Sequence, residues 1–302
     1  ELPGLPFDEK ILLSSKEALK MDEVPNRLAV IGAGAVGLEL GSVWSRLGAE
    51  VTVCEALTEF LPNADEAVSK EALKALTNQG LNIHLGTEIE NLELIENHVR
   101  LTLSNKELGA LEVDKVIFAV GRKPASEGLF DPNLGIEVEE QGFVKVNEFC
   151  QTDVPNIYAI GDLVRGPMLA HKASEEGVMV AEKIAGNNTR VNYKNIPFVI
   201  YTHPEIAWVG YSEKSAQKEG IQVQVGIFPF QANARALTSN EQSGFVKVVV
   251  NQEDDSIIGI HVLGPSAADV VQQGLIAMES NLTAEQLGSI MFSHPTVSEA
   301  LH

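Results

Sequence analysis

The order of features between residues 27 and 55 constrains this chain more than anything else in it: an apolar run, a glycine loop, a helical stretch, and a second apolar run ending in an acid. Residues 28–31 are the short apolar run that a buried parallel strand needs. Gly32, Gly34 and Gly37 follow at G-x-G-x-x-G spacing, where the helical pattern opens. Each glycine meets a different steric demand. The first permits a tight turn, the second lets backbone approach a pyrophosphate, and the third lets helix pack closely on strand. The loop Gly32, Ala33, Gly34, Ala35, Val36 and Gly37 is therefore expected to offer amides, and the positive end of a helix dipole, to phosphates. Glu55 ends the strand at 51–54, about 20 residues beyond the loop, where a carboxylate can accept hydrogen bonds from an adenosine ribose. No arginine follows among Ala56, Leu57 and Thr58 to receive a 2′-phosphate, so NAD is expected rather than NADP. Strand, helix, strand and acid in this order favour a dinucleotide site over a chance glycine loop.

At 302 residues the chain is long enough for two or three folded domains, and 44% hydrophobic residues suit ordinary globular cores. A net charge of −20 counts against general binding of nucleic acid or anionic membrane. No apolar run reaches ~18 residues, so no transmembrane helix is expected and the chain reads as soluble. Cys54 and Cys150 lie far apart and make neither a metal pair nor a redox pair; both are expected to be structural, and no metal site is expected. The chain opens at Glu1 without an initiator methionine or signal pattern and stops at His302 just after a helix start signal, so it reads as part of a longer protein.

Downstream, a helix is expected at 65–79, stopped by Gly80, with a strand at 81–85 continuing the parallel sheet. Paired strands follow at 88–94 and 99–103. A strongly apolar strand at 113–120 runs into Gly121, Arg122, Lys123 and Pro124, placing backbone at the carboxyl edge of the sheet; ordinary turn chemistry explains that glycine equally well. Residues 152–162 read as another apolar strand, its end carrying Gly161 and Asp162, followed by a helix at 168–185. That pair could be a turn, or could hold a second cofactor. From about residue 195 the texture changes to short strands at 207–211, 222–228, 244–250 and 257–262. A helix at 266–280 and a Thr283/Gln286 capping box close the pattern, which describes an antiparallel sheet with helices on it.

The last ten residues hold the candidate chemistry. His294 can titrate near neutrality, and Glu299 could orient its ring and stabilise the imidazolium. Equally, Thr296 and Glu299 match a capping box at a helix start, with His294 and Pro295 merely a turn before it.

Taken together, residues 32–55, 121–124, 154–162, 168–172 and 294–299 resemble the dihydrolipoamide dehydrogenases, within the flavin-dependent disulfide reductases, and the resemblance covers essentially the whole chain. It implies an α/β fold with a doubly wound Rossmann-type NAD domain at 1–123, the remaining part of a FAD domain at 124–194, and a C-terminal α+β dimerisation domain at 195–302. It also implies that the glycine loop and Glu55 bind NAD, with Glu39 near the nicotinamide, Ala119, Val120, Gly121 and Arg122 lining the same site, and Ile89 flanking the adenine. Gly161 and Asp162 would hold the flavin's ribityl and phosphate portion, and Ala170 would approach the flavin ring by backbone. His294 would be the proton acceptor, held by Glu299, and would act on the partner subunit's disulfide in a homodimer.

The implied reaction passes electrons from a dihydrolipoyl group through a cysteine pair and FAD to NAD. The implied partners are lipoyl domains and the subunit-binding segment of the acyltransferase of a 2-oxo acid dehydrogenase complex, in the cytoplasm or the mitochondrial matrix. The family's first flavin-binding loop and Cys-x4-Cys pair have no match here, so this stretch alone is expected to be inactive and to hold FAD poorly. Phe292 stands where the family often has a histidine. Glutathione reductase shares the His-Pro-Thr ending but prefers NADPH, which Glu55 argues against; mercuric reductase-like enzymes lack the dyad. A non-catalytic NAD-binding and dimerising module is the reading from another class.

Overall fold

A computed structural model describes residues 10–302; the start of the expected first domain lies outside the described residues. The chain forms two compact units, one built from residues up to Val120 together with Pro197–His302, the other from Gly121–Ile196. The stretches expected as first and third domains thus share a unit.

The first unit begins with β1 (Leu12–Leu13), α1 (Ser15–Ala18), β2 (Arg27–Ile31), α2 (Ala35–Arg46), β3 (Glu50–Cys54), α3 (Glu66–Asn78) and β4 (Asn82–His84). A hairpin and its neighbour follow, β5 (Ile89–Ile95), β6 (His98–Leu103) and β7 (Ala110–Val113), and then β8 (Lys115–Phe118). The parallel sheet has the order β1-β8-β2-β3-β4. Strand β2 is apolar without alternation because both of its faces are covered. Leu28 and Val30 enter the core beneath α2 and α3, and Ala29 and Ile31 pack against the antiparallel β5-β6-β7 sheet through Val99, Leu101 and Leu103.

The run at 113–120, expected as one strand, is two. Asp114 interrupts it, accepting a hydrogen bond from the Arg27 amide, so Val113 ends the antiparallel sheet while β8 inserts between β1 and β2. Strand β8 therefore delivers Ala119 beside the end of β2, where the Ala119 amide donates to the Ile31 carbonyl.

The second unit carries one long helix, α4 (Ala170–Ile184), and a 3-10 turn at Gly161–Leu163. The strand expected at 152–162 does not form. Thr152 and Ala159 bond instead to Ile157 and Cys150, and a single antiparallel bridge joins Gln151 to Tyr158, so the segment's backbone is satisfied by its own hairpin rather than by a sheet. Val144, Ala159 and Val164 make its small core with Phe130, Ile136, Val146 and Leu163.

The rest of the first unit contributes β9 (Phe198–Ile200), β10 (Glu205–Gly210), α5 (Glu213–Lys218), β11 (Val223–Pro229), α6 (Ala234–Ser239), β12 (Phe245–Asn251), β13 (Ile257–Gly264), α7 (Ala267–Glu279) and α8 (Ala284–Gly288). These strands form one antiparallel sheet, β11-β12-β13-β10-β9. Alternation on β10 splits its side chains: Ile206 and Trp208 join the core shared with α2 and α3, while Ala207 and Val209 pack with Val270 and Val271 of α7. The expected Thr283/Gln286 capping box is present at the start of α8.

Helix α3 is fastened to this sheet by charge. Asp65 caps α3 through the Ala67 amide, and both its oxygens lie 2.8 Å from Nζ of Lys247 on β12, which also pairs with Glu213 at 2.6 Å. Burial works against ionisation of Asp65, but the Lys247 ammonium outweighs it and holds the carboxyl below its usual range. Burial likewise opposes the charged form of Lys247, and the two carboxylates push it above the ordinary lysine value. His261, cross-strand from Lys247, is pushed below its usual value by burial; its Nε2 lies 2.8 Å from the Tyr211 carbonyl and its Nδ1 has no partner among the described residues.

Candidate functional site

The glycine loop joins β2 to α2. Gly32 has φ +103°, and a Cβ there would lie 2.6 Å from the Ala119 carbonyl oxygen. A Cβ on Gly37 would lie 2.0 Å from the Gly32 oxygen, so only glycine lets α2 sit this close to the loop. Gly34 differs from both: a Cβ would meet nothing within 4 Å, and the residue faces open space. Gly34 is also the N-cap of α2 and supplies no side-chain acceptor, and the first turn has no acid. The leading amides of a 12-residue helix, with Ala35 and Val36 exposed beside them, are thus left to an external acceptor.

Glu55 closes the loop from β3. Its Oε2 accepts from the Ala33 amide at 2.7 Å and its Oε1 from the Leu57 amide at 2.9 Å. A carboxylate has about four lone-pair sites, so roughly two remain for hydroxyls of a sugar. The Thr87 amide bonds to the Glu55 carbonyl, which brings the start of β5 alongside; Ile89 itself packs against the Leu101 and Leu103 core. Glu39, on α2, is engaged elsewhere, accepting from the Tyr201 amide at 2.8 Å. Ala119 is half-buried and Val120 exposed at the end of the first unit.

In the second unit, Arg122 pairs with Asp162 at 2.9 Å and donates to the Met168 carbonyl, so two residues expected at different cofactors meet in one ion pair. Gly161 precedes Asp162 in the left-handed region, φ +69°. Helix α4 starts at exposed Ala170 with no side-chain cap and no acid in its first turn. Beneath it lies a buried pair that sequence reasoning missed: Lys172 and Glu176 lie 3.0 Å apart, and the hydroxyl of the exposed Tyr193 donates to Glu176 at 2.9 Å. Lysine and glutamate four apart on a helix read as a solvent-facing pair, and nothing local signals that both are buried.

The third cluster is at residues 294–299. His294 Nδ1 lies 2.8 Å from Glu299 Oε1, and the other oxygen, Oε2, accepts from the Thr296 amide at 2.8 Å. Glu299 thus makes the capping bond through one oxygen and meets the His294 ring through the other. The Thr296 amide first, and the His294 ring second, hold the Glu299 carboxyl below its ordinary range. It is ionised at neutral pH and can only accept, so Nδ1 of neutral His294 carries the proton and Nε2 keeps its lone pair. The ring lines an open groove of about 440 Å³ with Phe228, Asn233, Met291 and Phe292. Asn233, buried and capping α6, reaches across to the Thr296 carbonyl at 3.0 Å and fixes the turn that carries the histidine. Its only sequence signal is that of a helix cap.

Both cysteines are buried and unpaired. Burial pushes Cys54 up to about 11, and burial with the Glu176 charge raises Cys150, so neither is a nucleophile at neutral pH. Among the described residues no cluster could hold a metal ion, and no helix is long and apolar enough to cross a membrane.

Known proteins are similar to this chain. Residues 1–177 match the family model for pyridine nucleotide-disulphide oxidoreductases, and residues 196–302 match the dimerisation domain of the same family. Dihydrolipoyl dehydrogenase of Cupriavidus necator is 46% identical over 99% of this chain and 64% of its own length. The mitochondrial dihydrolipoyl dehydrogenase of Caenorhabditis elegans is 44% identical over 99% of the chain and 61% of its own length. The chain thus spans about three-fifths of the length of these curated relatives. Among solved structures, the HOCl-induced flavoprotein disulfide reductase RclA from Escherichia coli superposes with a TM-score of 0.92 at 28% identity, covering 100% of this chain and 69% of that one. With the family model spanning more than half its residues, the chain belongs to the pyridine nucleotide-disulphide oxidoreductases.

Proposed function

We propose that this chain carries the nucleotide site and the proton-transfer residues of a dihydrolipoyl dehydrogenase that uses NAD. The observation that carries the reading is the open cradle at Gly34, edged by uncapped helix amides and by Glu55 with acceptor capacity to spare. That donor set suits a pyrophosphate, and the carboxylate suits a ribose diol while repelling a 2′-phosphate. Gly32, Ala33, Gly34, Ala35, Val36 and Gly37 would take the phosphates, with Ala119, Val120, Gly121 and Arg122 near the nicotinamide and Ile89 near the adenine. Glu39 would join the nicotinamide end after releasing the Tyr201 amide.

The residues of the second unit suit part of a flavin site: Gly161, Asp162 and the uncapped start of α4 at Ala170 offer a carboxylate and amide donors of the kind a ribityl chain and an isoalloxazine carbonyl require. A bound FAD would supply two-electron relay between thiols and nicotinamide. His294 Nε2 would take the thiol proton of a dihydrolipoyl group, with Glu299 stabilising the imidazolium, a contribution of roughly two to four powers of ten in rate. In a homodimer built through the dimerisation domain, this pair would serve the partner subunit's disulfide. Lipoyl domains, and the subunit-binding segment of an acyltransferase within a 2-oxo acid dehydrogenase complex, are the proposed macromolecular partners, in the cytoplasm or mitochondrial matrix.

Calorimetry on the full-length protein tests the nucleotide assignment: NADH is expected to bind at least about tenfold tighter than NADPH. Equal affinity, or no heat with either, would overturn it. Comparing lipoamide with glutathione disulfide as substrates tests the thiol assignment, with turnover expected on lipoamide alone.

A further inference from the structure

Lys172 and Glu176 are fully buried, yet their hydrogen bonds converge on a single peptide unit. Glu176 Oε2 accepts from the Gly161 amide at 2.7 Å, and Lys172 Nζ donates to the Gly161 carbonyl at 3.1 Å. The two ends of the ion pair thus hold the two polar groups of Gly161, one residue before Asp162. The remaining Glu176 oxygen is taken by Lys172 and by the Tyr193 hydroxyl, whose titration burial and this bond push far above the ordinary tyrosine range.

The loop that carries Asp162 also wraps the lysine. A Cβ at Gly166 would lie 3.0 Å from Lys172 Cε, and a Cβ at Gly161 would lie 3.0 Å from the Ala173 Cβ. Both glycines have positive φ, +69° at Gly161 and +114° at Gly166. Lys172 therefore binds the loop at its first residue by hydrogen bond and at its last by contact. Asp162 stands between these points with half its side chain exposed and Arg122 beside it.

A buried ion pair is a poor means of adding stability, because desolvating two charges offsets most of their attraction. What it does supply is geometry. We propose that Lys172 and Glu176 are positioning residues that lock the Gly161 peptide and so aim Asp162 at the flavin ribityl chain. The proposal rests on the flavin reading above.

The test separates geometry from stability. In the full-length protein, Lys172→Met leaves the buried Glu176 carboxyl without its cation, and destabilises the fold. The double variant Lys172→Met with Glu176→Leu removes both charges, and apolar replacement of a buried pair is commonly neutral. Because the Gly161 amide and carbonyl and the Tyr193 hydroxyl lose these partners, the double variant is expected to be less stable than the parent yet folded, keeping its NADH affinity while binding FAD at least about tenfold more weakly. The visible absorbance of the residual flavin should also shift, as its surroundings loosen. Hydrogen exchange supplies a readout without flavin: the Gly161 amide, slow in the parent protein, exchanges fast in the double variant. Unchanged FAD affinity and spectrum in a folded double variant would overturn the proposal, as would a Gly161 amide that exchanges fast in the parent. A parent protein that purifies without flavin and fails to take up FAD would remove the flavin reading itself, and the proposal with it.

Discussion

Two carboxylates in the first unit, one bound to a lysine and one to a histidine, use similar hydrogen bonds for opposite ends. Asp65 and Lys247 are 2% and 4% exposed, while His294 and Glu299 are 69% and 26% exposed. The buried pair joins residues 182 positions apart and ties the start of α3 to the antiparallel sheet. The open pair is local, five residues apart, and leaves one ring nitrogen facing a groove. Burial decides the role. A pair sealed from water fastens elements together and has no access to a reactant, whereas a pair with an open nitrogen can exchange a proton and adds little to the fold.

The sharpest way to break this contrast is to cut the buried pair. Lys247→Met leaves Asp65 charged and desolvated, with an expected loss of about 3–5 kcal/mol of stability by urea denaturation. Adding Asp65→Asn, which keeps the cap on α3, should recover most of it. Absence of a loss in the single variant would mean that the pair fastens nothing.

Gly37→Ala is next in size. Its methyl would overlap the Gly32 carbonyl, so α2 must move, at about 1–3 kcal/mol, and NADH affinity should fall with it. Preserved affinity in a calorimetric titration would separate the loop from nucleotide binding. Glu55→Gln keeps the acceptor but drops the charge, and should tighten NADPH by roughly tenfold, equivalent to about 1.4 kcal/mol. No change in NADPH affinity would count against Glu55 as the discriminating group.

The smallest effect is on pH. Asp65 has a folded pKa below its unfolded value, so its contribution is present above the ordinary carboxylate range and is lost as pH falls through the folded value. His261, held neutral by burial, acts in the same direction starting nearer pH 6.5, because the unfolded chain takes up its proton first. Lys247 works oppositely, its contribution fading only as pH rises past the lysine range. Urea midpoints should therefore decline from about pH 6.5 downward, and Asp65→Asn should flatten the lower part of that decline.

The glycine loop was legible in the sequence because its spacing is local, with Gly37 answering to the Gly32 carbonyl and Gly34 to open space, although what Gly32 answers to, the Ala119 carbonyl, comes from a distant strand. The division at Asp114 was not legible, since it depends on which sheet each half of an apolar run joins. The run at 152–162 has strand composition but finds its hydrogen bonds within its own hairpin, which composition cannot reveal. Lys247, Lys172 and Glu176 carry no local mark of burial, because what covers them comes from distant segments or from a loop's path. At Glu299 the sequence offered cap or dyad as alternatives, and only geometry shows one carboxylate bonded both to the Thr296 amide and to the His294 ring.

The most direct test of the open pair's role is to split the two halves of the reaction by rapid kinetics in full-length His294→Gln. Flavin reduction by dihydrolipoamide is expected to slow by about 10²–10⁴-fold, with flavin reduction by NADH and the thermal midpoint unchanged. Near-normal reduction by dihydrolipoamide, or equal slowing from both donors, would contradict the account.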